Sequence, residues 1–224
     1  MAVTRALAPP GSVGGWLGWM IANVTGYALG FALWQALFPA LRPPLSASLG
    51  GILLVAGFGA TIGACAGLAQ AVARRQQIGQ IGQIGQIGRA GVWALAVTLG
   101  TAVGFTCAAT VSEWLNAVLE PRVNLSLTDA ALVLSFGGIL GLTIGVARWL
   151  ALIAEGIRAA RWILASALGL LIGYPLAIGL LQLLPELDQP LVGLVFGACV
   201  GASAALLEWL IMRRRPAARD ATAA

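Results

Sequence analysis

The chain lacks two of the side chains that most often carry out chemistry in proteins. It has no His and no Lys among its 224 residues, so all 13 positive charges belong to Arg. Without His, Ser-His-Asp catalysis is excluded, together with the commonest metal ligand and the usual proton shuttle near neutral pH. Its glycines recur every fourth residue within apolar segments, which excludes a phosphate-binding loop. We therefore expect no enzyme activity, no metal and no cofactor.

Charge is scarce throughout. Only 9% of the residues are charged and 59% are hydrophobic, whereas a soluble domain carries about 25% charged residues. In a soluble protein the net charge of +5 would suggest nucleic acid as a partner. Here the Arg residues lie at the ends of apolar runs, where membrane orientation and anionic lipid headgroups account for them. We expect membrane lipids as partners and no nucleic acid.

Cysteine is also rare and is never paired in sequence. Cys65, Cys107 and Cys199 each lie within an apolar run. No two of them have the spacing of a metal site or a redox pair. They are predicted to act as small hydrophobic side chains in a packed interior.

Six apolar runs dominate the rest of the chain. Each supplies the roughly 20 residues that cross a hydrocarbon core of about 30 Å, and only helices and closed barrels satisfy their backbone in lipid. Alternating strand patterns are missing, so the sequence predicts an all-α membrane protein with six transmembrane helices. Pro39 is expected to close the first run. The runs cover 14–38, 49–73, 91–116, 130–153, 161–184 and 190–212.

The remaining segments are polar or of low complexity. Residues 77–88 read QIGQIGQIGQIG, and a three-residue period with four glycines disfavours both helix and strand. The predicted organisation is a cytoplasmic segment 1–13, a transmembrane domain 14–212 with an inner loop 74–90, and a basic disordered tail 213–224.

The distribution of Arg predicts the orientation. Arg42 and Arg122 fall in the loops on one side and Arg148 lies within a span, which leaves ten of the 13 for the other side. Because cytoplasmic loops carry the excess of positive charge, both termini are expected in the cytoplasm. The Arg-only, Ala- and Gly-rich composition is typical of a GC-rich genome, and we expect a multi-pass protein of a bacterial cytoplasmic membrane.

Small residues recur at fixed spacing, which indicates internal repeats. The spacing W-x6-G-x3-G begins at Trp19, Trp93 and Trp162, and each is followed by a second helix with small residues every fourth position. Three tandem hairpins are predicted, about 14–73, 91–153 and 161–212, around a pseudo-threefold axis. Small residues let helices approach closely in lipid, so large residues, including Phe and Trp, should face lipid. The predicted packing residues are Gly26, Gly30, Gly59, Gly63, Gly67, Gly100, Gly104, Gly137, Gly141, Gly145, Gly169, Gly173, Gly197 and Gly201.

The Trp residues that begin the repeats lie near the predicted inner face. An amphipathic ring at headgroup depth anchors a helix, so Trp19, Trp93 and Trp162 are expected in an interfacial belt. A stack on a pigment or ligand is the alternative. Asn23, one turn after Trp19, is expected to form a hydrogen bond between helices.

Three polar residues occupy one repeat register and form the candidate site. Gln70, Arg148 and Glu208 each follow the third small residue of a second helix by three positions. The simplest expectation is that these side chains snorkel to the interface. A structural ion pair between Arg148 and Glu208 and a transport or ligand site are the alternatives, since charge at depth is expensive.

The run Ile157–Leu170, IRAARWILASALGL, and the endings Arg148-Trp149 and Glu208-Trp209 carry a resemblance. With the Trp and Gly spacing they are similar to a group of uncharacterised bacterial multi-pass membrane proteins built from repeated Trp- and Gly-rich helical hairpins. The resemblance covers most of residues 14–215. The chain departs from it at Ala71, where Trp would follow Gln70. The resemblance implies the fold and brings no site residues with it.

Two functions remain open at this point. A structural or accessory component, in a homo-oligomer or a larger membrane complex, is favoured by the inert composition and the many small-residue faces. A transporter or channel for a small solute or ion, using Gln70, Arg148 and Glu208, is the alternative.

Overall fold

Six helices make up the structure. The computed structural model describes residues 13–41, 48–78, 83–119, 125–153 and 160–213. These residues form helices and the short connection after the fifth helix, with no strand among them, which confirms the all-α prediction. Each helix is long and apolar enough to cross a membrane, as a multi-pass membrane protein requires. The helices are α1 (Val13–Leu41), α2 (Ser48–Ile78), α3 (Gln83–Leu119), α4 (Leu125–Ile153), α5 (Ala160–Gln182) and α6 (Gln189–Arg213).

The helices form a closed ring in chain order. Within the described residues each helix packs against its two neighbours in the sequence, and α6 returns to pack against α1. No described helix contacts a helix on the opposite side of the ring. Trp19 near the start of α1 bonds Glu208 near the end of α6. The start of α1 and the end of α6 therefore lie at the same end of the bundle.

Glycines lie at all six interfaces of this ring. A Cβ atom added to Gly26 of α1 would lie 2.6 Å from the Cα atom of Ala66 in α2. One added to Gly141 of α4 would lie 2.5 Å from the carbonyl oxygen of Ser166 in α5. At these positions backbone lies against backbone, and only a residue without a side chain fits. That the contacts drive assembly in lipid stays a prediction.

The aromatic side chains fill the axis of the ring, and the prediction that Phe faces lipid is wrong. Six aromatic side chains form a closed circle around this axis, and the centroids of neighbouring aromatic rings lie 4.6 to 5.5 Å apart. Six helices in a ring leave an axial space that only large side chains fill, and tilted aromatic pairs attract one another. The large exposed hydrophobic residues of the described part are Leu, Ile and Val, with Trp114 the exception. This aromatic layer takes one residue from each helix: Phe31, Phe58, Phe105, Phe136, Tyr174 and Phe196.

Helix boundaries depart from the prediction at several places, and α4 begins at Leu125, five residues before the predicted start at 130. α1 continues through Pro39 to Leu41, because a proline near the end of a membrane helix costs few hydrogen bonds. α2 extends to Ile78 and α3 begins at Gln83, so much of the expected loop 74–90 is helical. Extending an existing helix is far easier than nucleating one, and Gln is a good helix former. Residues 79–82 lie outside the described part.

Two smaller features complete the fold. Cys107 is exposed on the outer surface of α3, so its predicted place in the interior is wrong; Cys65 and Cys199 are half-buried. A face of small residues is needed only where helices meet, and α3 turns Cys107 away from both neighbours. Asp188 caps α6 by accepting a hydrogen bond from the backbone N–H of Leu191 at 3.0 Å, which ends the chain reversal after α5.

Candidate polar site at one end of the bundle

Three indole rings meet on the axis at the end of the bundle where α1 begins. The ring centroids of Trp19 and Trp93 lie 6.1 Å apart, those of Trp19 and Trp162 6.1 Å, and those of Trp93 and Trp162 5.7 Å. Trp19 and Trp93 are buried. The interfacial belt expected for these residues is therefore wrong, because the three face one another rather than the headgroups. Their indole N–H groups need acceptors inside the protein.

A chain of hydrogen bonds supplies an acceptor for the indole N–H of Trp93. Trp93 Nε1 donates to Gln70 Oε1 at 3.1 Å, and Gln70 Nε2 donates to Asn23 Oδ1 at 2.9 Å. Asn23 Nδ2 then donates to the carbonyl of Trp19 at 2.9 Å. This chain joins α3, α2 and α1, and it confirms the bond between helices expected of Asn23. Every polar atom in it has a partner of the right kind, which favours a rigid structural role.

A second group of contacts centres on a buried ion pair. Glu208 Oε2 accepts from Trp19 Nε1 at 2.7 Å, and Glu208 Oε1 pairs with Arg148 Nη1. The same Nη1 donates to Ser166 Oγ at 3.0 Å. Arg148 is 1% exposed and Glu208 is 2% exposed, so neither side chain snorkels to the interface. Each charge is instead held by its opposite, which is the condition for keeping charge in an apolar interior.

Arg148 breaks the pattern that the other two register positions follow. Gln70 accepts from the indole of the next hairpin, Trp93, and Glu208 accepts from Trp19, since the ring is closed. A guanidinium has no acceptor, so Arg148 cannot serve Trp162 in this way. It reaches past α5 to Glu208 of α6 instead. One of three similar positions thus differs in chemistry from the others.

Several donors at this site have no partner. Among the described residues, Arg148 Nε, Arg148 Nη2 and the Tyr27 hydroxyl are buried without a hydrogen-bond partner. The guanidinium carbon lies 5.7 Å from the ring centroid of Trp93, a cation–π contact that holds its face but uses none of its N–H groups. A buried donor left without an acceptor costs about 1–3 kcal/mol, and more when it is charged. Such a group marks a place where an acceptor would be held.

The sequence missed two of the residues that shape this site. Ser166 follows Trp162 by four positions, as Asn23 follows Trp19, so the register offered a signal for it. Tyr27 follows Gly26 directly, and no periodic pattern singles out its hydroxyl. The described residues contain no group of three or more His, Cys, Asp or Glu that could hold a metal ion.

Comparisons with protein-family models, with curated proteins and with solved structures find no match for this chain. The resemblance to uncharacterised bacterial multi-pass proteins stays a prediction. Function therefore has to be argued from the geometry of the bundle itself.

Proposed function

We propose that this chain is a multi-pass membrane protein that binds and moves a small solute at the Arg148–Glu208 pair. The observation that carries the proposal is a charged pair inside the helix ring with two guanidinium N–H donors unused. Ionisable residues within membrane spans are rare and expensive, and they commonly mark binding sites or transport paths. A bundle that needed only stability would be served as well by apolar residues at these positions.

The accessory role loses one of the two observations that motivated it, the small-residue faces. The glycine stripes contact neighbouring helices of the same chain at all six interfaces of the ring. They are therefore not free to bind a second copy or another protein. The large hydrophobic side chains left exposed are, apart from Trp114, Leu, Ile and Val such as Leu95 and Leu176, which suit lipid tails.

We further propose a bacterial cytoplasmic membrane, with both termini in the cytoplasm. Cysteines introduced at two exposed positions at opposite ends of the bundle, Glu186 and Arg89, test this orientation. The native Cys residues are replaced by Ala in the same chain. A membrane-impermeant maleimide should label Glu186→Cys in intact bacterial cells and Arg89→Cys only after lysis. The reverse pattern would overturn the orientation, and labelling of both in intact cells would argue against a membrane barrier between them.

A proteoliposome flux screen tests the solute proposal. The wild-type chain should carry at least one solute from a panel of small carboxylates, inorganic anions, amino acids and monovalent cations. Arg148→Ala and Glu208→Ala should each reduce that flux at least about tenfold, which corresponds to about 1.4 kcal/mol. Arg75→Ala, which removes an exposed Arg outside the site, should leave the flux unchanged.

A double variant separates lost function from lost folding. Arg148→Leu combined with Glu208→Leu leaves no buried charge unpaired and should fold, yet it should carry no flux. Flux that survives in the folded double variant would contradict the proposal. The same holds if the wild-type chain neither binds nor carries any solute of the panel.

A further inference from the structure

We infer that Arg148 binds a small planar oxyanion of the carboxylate class along its Nε–Nη2 edge, and that Glu208 takes up a proton when it does. The inference rests on the proposed function and gives it a substrate class. Nη1 is already engaged by Glu208 and Ser166, whereas Nε and Nη2 are buried and unused among the described residues. These two N–H groups are parallel, and together they form a fork that matches the two oxygens of a carboxylate.

The donor set selects the sign of the ligand. Besides the guanidinium edge, the buried Tyr27 hydroxyl has no partner in the described part of the chain. Tyr27 lies within electrostatic range of both Arg148 and Glu208. Arg148 has no acceptor to give, and the oxygens of Glu208 are already paired with Trp19 and Nη1. Unused N–H donors on a positively charged guanidinium fit an anion, whereas the charge of Arg148 repels a metal or ammonium ion.

The ligand must be small, because aromatic side chains occupy the axis on both sides. Ser166 lies along α5 between Trp162 of the indole cluster and Tyr174 of the aromatic layer. Its bond to Nη1 places the guanidinium at the same level. Formate and nitrate are small and planar and offer two oxygens to the fork, whereas chloride offers a single atom at which the two N–H groups cannot both point directly.

Charge balance requires the proton. Among the described residues, Arg148 and Glu208 are the charged side chains that the bundle buries, and together they are neutral. An added anion would leave a net negative charge in an apolar interior, where charge is poorly tolerated. A proton on Glu208 removes that charge and leaves the ligand as the counter-ion of Arg148. No covalent bond other than the new O–H bond changes.

None of the groups around Glu208 can take up this proton in its place. α4 contributes Arg148, whose guanidinium has no acceptor for a further proton. α1 contributes Trp19 and Tyr27, and Tyr27 in turn interacts electrostatically with Tyr174 of α5. None of these aromatic groups carries a negative charge that a proton could neutralise at neutral pH. Arg161, the second residue of α5, is exposed at the end of the bundle.

Isothermal titration of the purified full chain in detergent tests the inference, with formate, nitrate and chloride as probes. Formate and nitrate should bind saturably, and chloride at least about tenfold more weakly. Repeating the formate titration in buffers of different ionisation enthalpy should show one proton taken up per anion bound. The Kd for formate should then fall about tenfold for each unit by which the pH is lowered, as linkage of one proton requires.

Three variants separate the parts of the inference. Glu208→Gln mimics the protonated acid, so it should bind formate with no proton uptake and no pH dependence. Arg148→Lys keeps the charge but not the fork, so its Kd for formate should rise at least tenfold and its preference for formate over chloride should disappear. Arg75→Gln should bind as the wild-type chain does.

The results that would contradict this inference differ from those that would contradict the proposed function. If the wild-type chain binds neither formate nor nitrate but carries another solute in an Arg148-dependent way, the inference is wrong and the proposed function stands. Formate binding that survives unchanged in Arg148→Lys would also overturn the inference, as would equal proton uptake in Glu208→Gln.

Discussion

Replacing Glu208 by alanine is expected to lower the free energy of unfolding by about 3–5 kcal/mol, because it leaves a buried charge without its partner. Arg148 is 1% exposed, so removal of the carboxylate leaves its guanidinium in an apolar interior without a counter-charge. Trp19 Nε1 also loses its acceptor, which lies 2.7 Å away in the intact chain. Reversible unfolding in mixed micelles with increasing sodium dodecyl sulfate, followed by far-ultraviolet circular dichroism, measures the change.

A double variant supplies the decisive control for this prediction. Leucine at both Arg148 and Glu208 should recover most of the lost stability, because an apolar pair carries no desolvation penalty. Arg148→Leu, Glu208→Leu and the double leucine variant form a cycle whose coupling energy isolates the pair. Glu113→Ala, which removes an exposed carboxylate from α3, should stay within about 0.5 kcal/mol of the wild-type chain. A loss below about 1 kcal/mol for Glu208→Ala would mean that water reaches Arg148.

The number of helices and the position of their apolar centres could be predicted because both are local properties. A run of apolar residues long enough to cross the bilayer has to form a helix wherever it lies in the chain. The glycine spacing is likewise local, since residues four apart lie on one face of a helix. Both signals survive without knowledge of which helices are neighbours.

The direction of the aromatic side chains could not be predicted from hydropathy. Phe and Leu are equally acceptable to lipid, so composition does not say which of them lines the axis. What decides is the width of a six-helix ring, which is a property of the whole assembly. A signal does exist in hindsight: Phe31, Phe105 and Tyr174 each follow the second glycine of a pair, and such a position lies beside the packing face.

The ion pair was one of several open alternatives for a similar reason. Arg148 and Glu208 lie on α4 and α6, which do not pack against each other among the described residues. Their side chains meet because the small interior of the ring brings every register position close to the axis. Snorkelling and pairing are both open to a charge near the end of a span. The helix packing points both side chains inward, and only this direction distinguishes pairing from snorkelling.

Valine in place of Gly197 is expected to cost about 3 kcal/mol or more of stability, at the upper end for overpacked sites. A Cβ atom at this position would lie 2.5 Å from the carbonyl oxygen of Tyr27 and 2.7 Å from the Cα atom of Ala28. Both atoms belong to the backbone of α1, so no side-chain rotation can relieve the clash. The contact between α6 and α1 is also the one that closes the ring. We expect a lower melting temperature and a loss of the monodisperse peak in fluorescence-detected size-exclusion chromatography.

Gly179→Val is the matched control, because nothing lies within 4 Å of a Cβ atom at that position. It makes the same chemical change in another helix of the ring and should leave the elution profile as it is. Where space is open, replacing a helical glycine mainly reduces the conformational freedom of the unfolded chain, which favours the folded state slightly. Equal tolerance of valine at Gly197 and Gly179 would mean that α1 and α6 are not in contact through their backbones. In that case the ring would be open between its first and last helices, and Trp19 could not hold Glu208 beside Arg148.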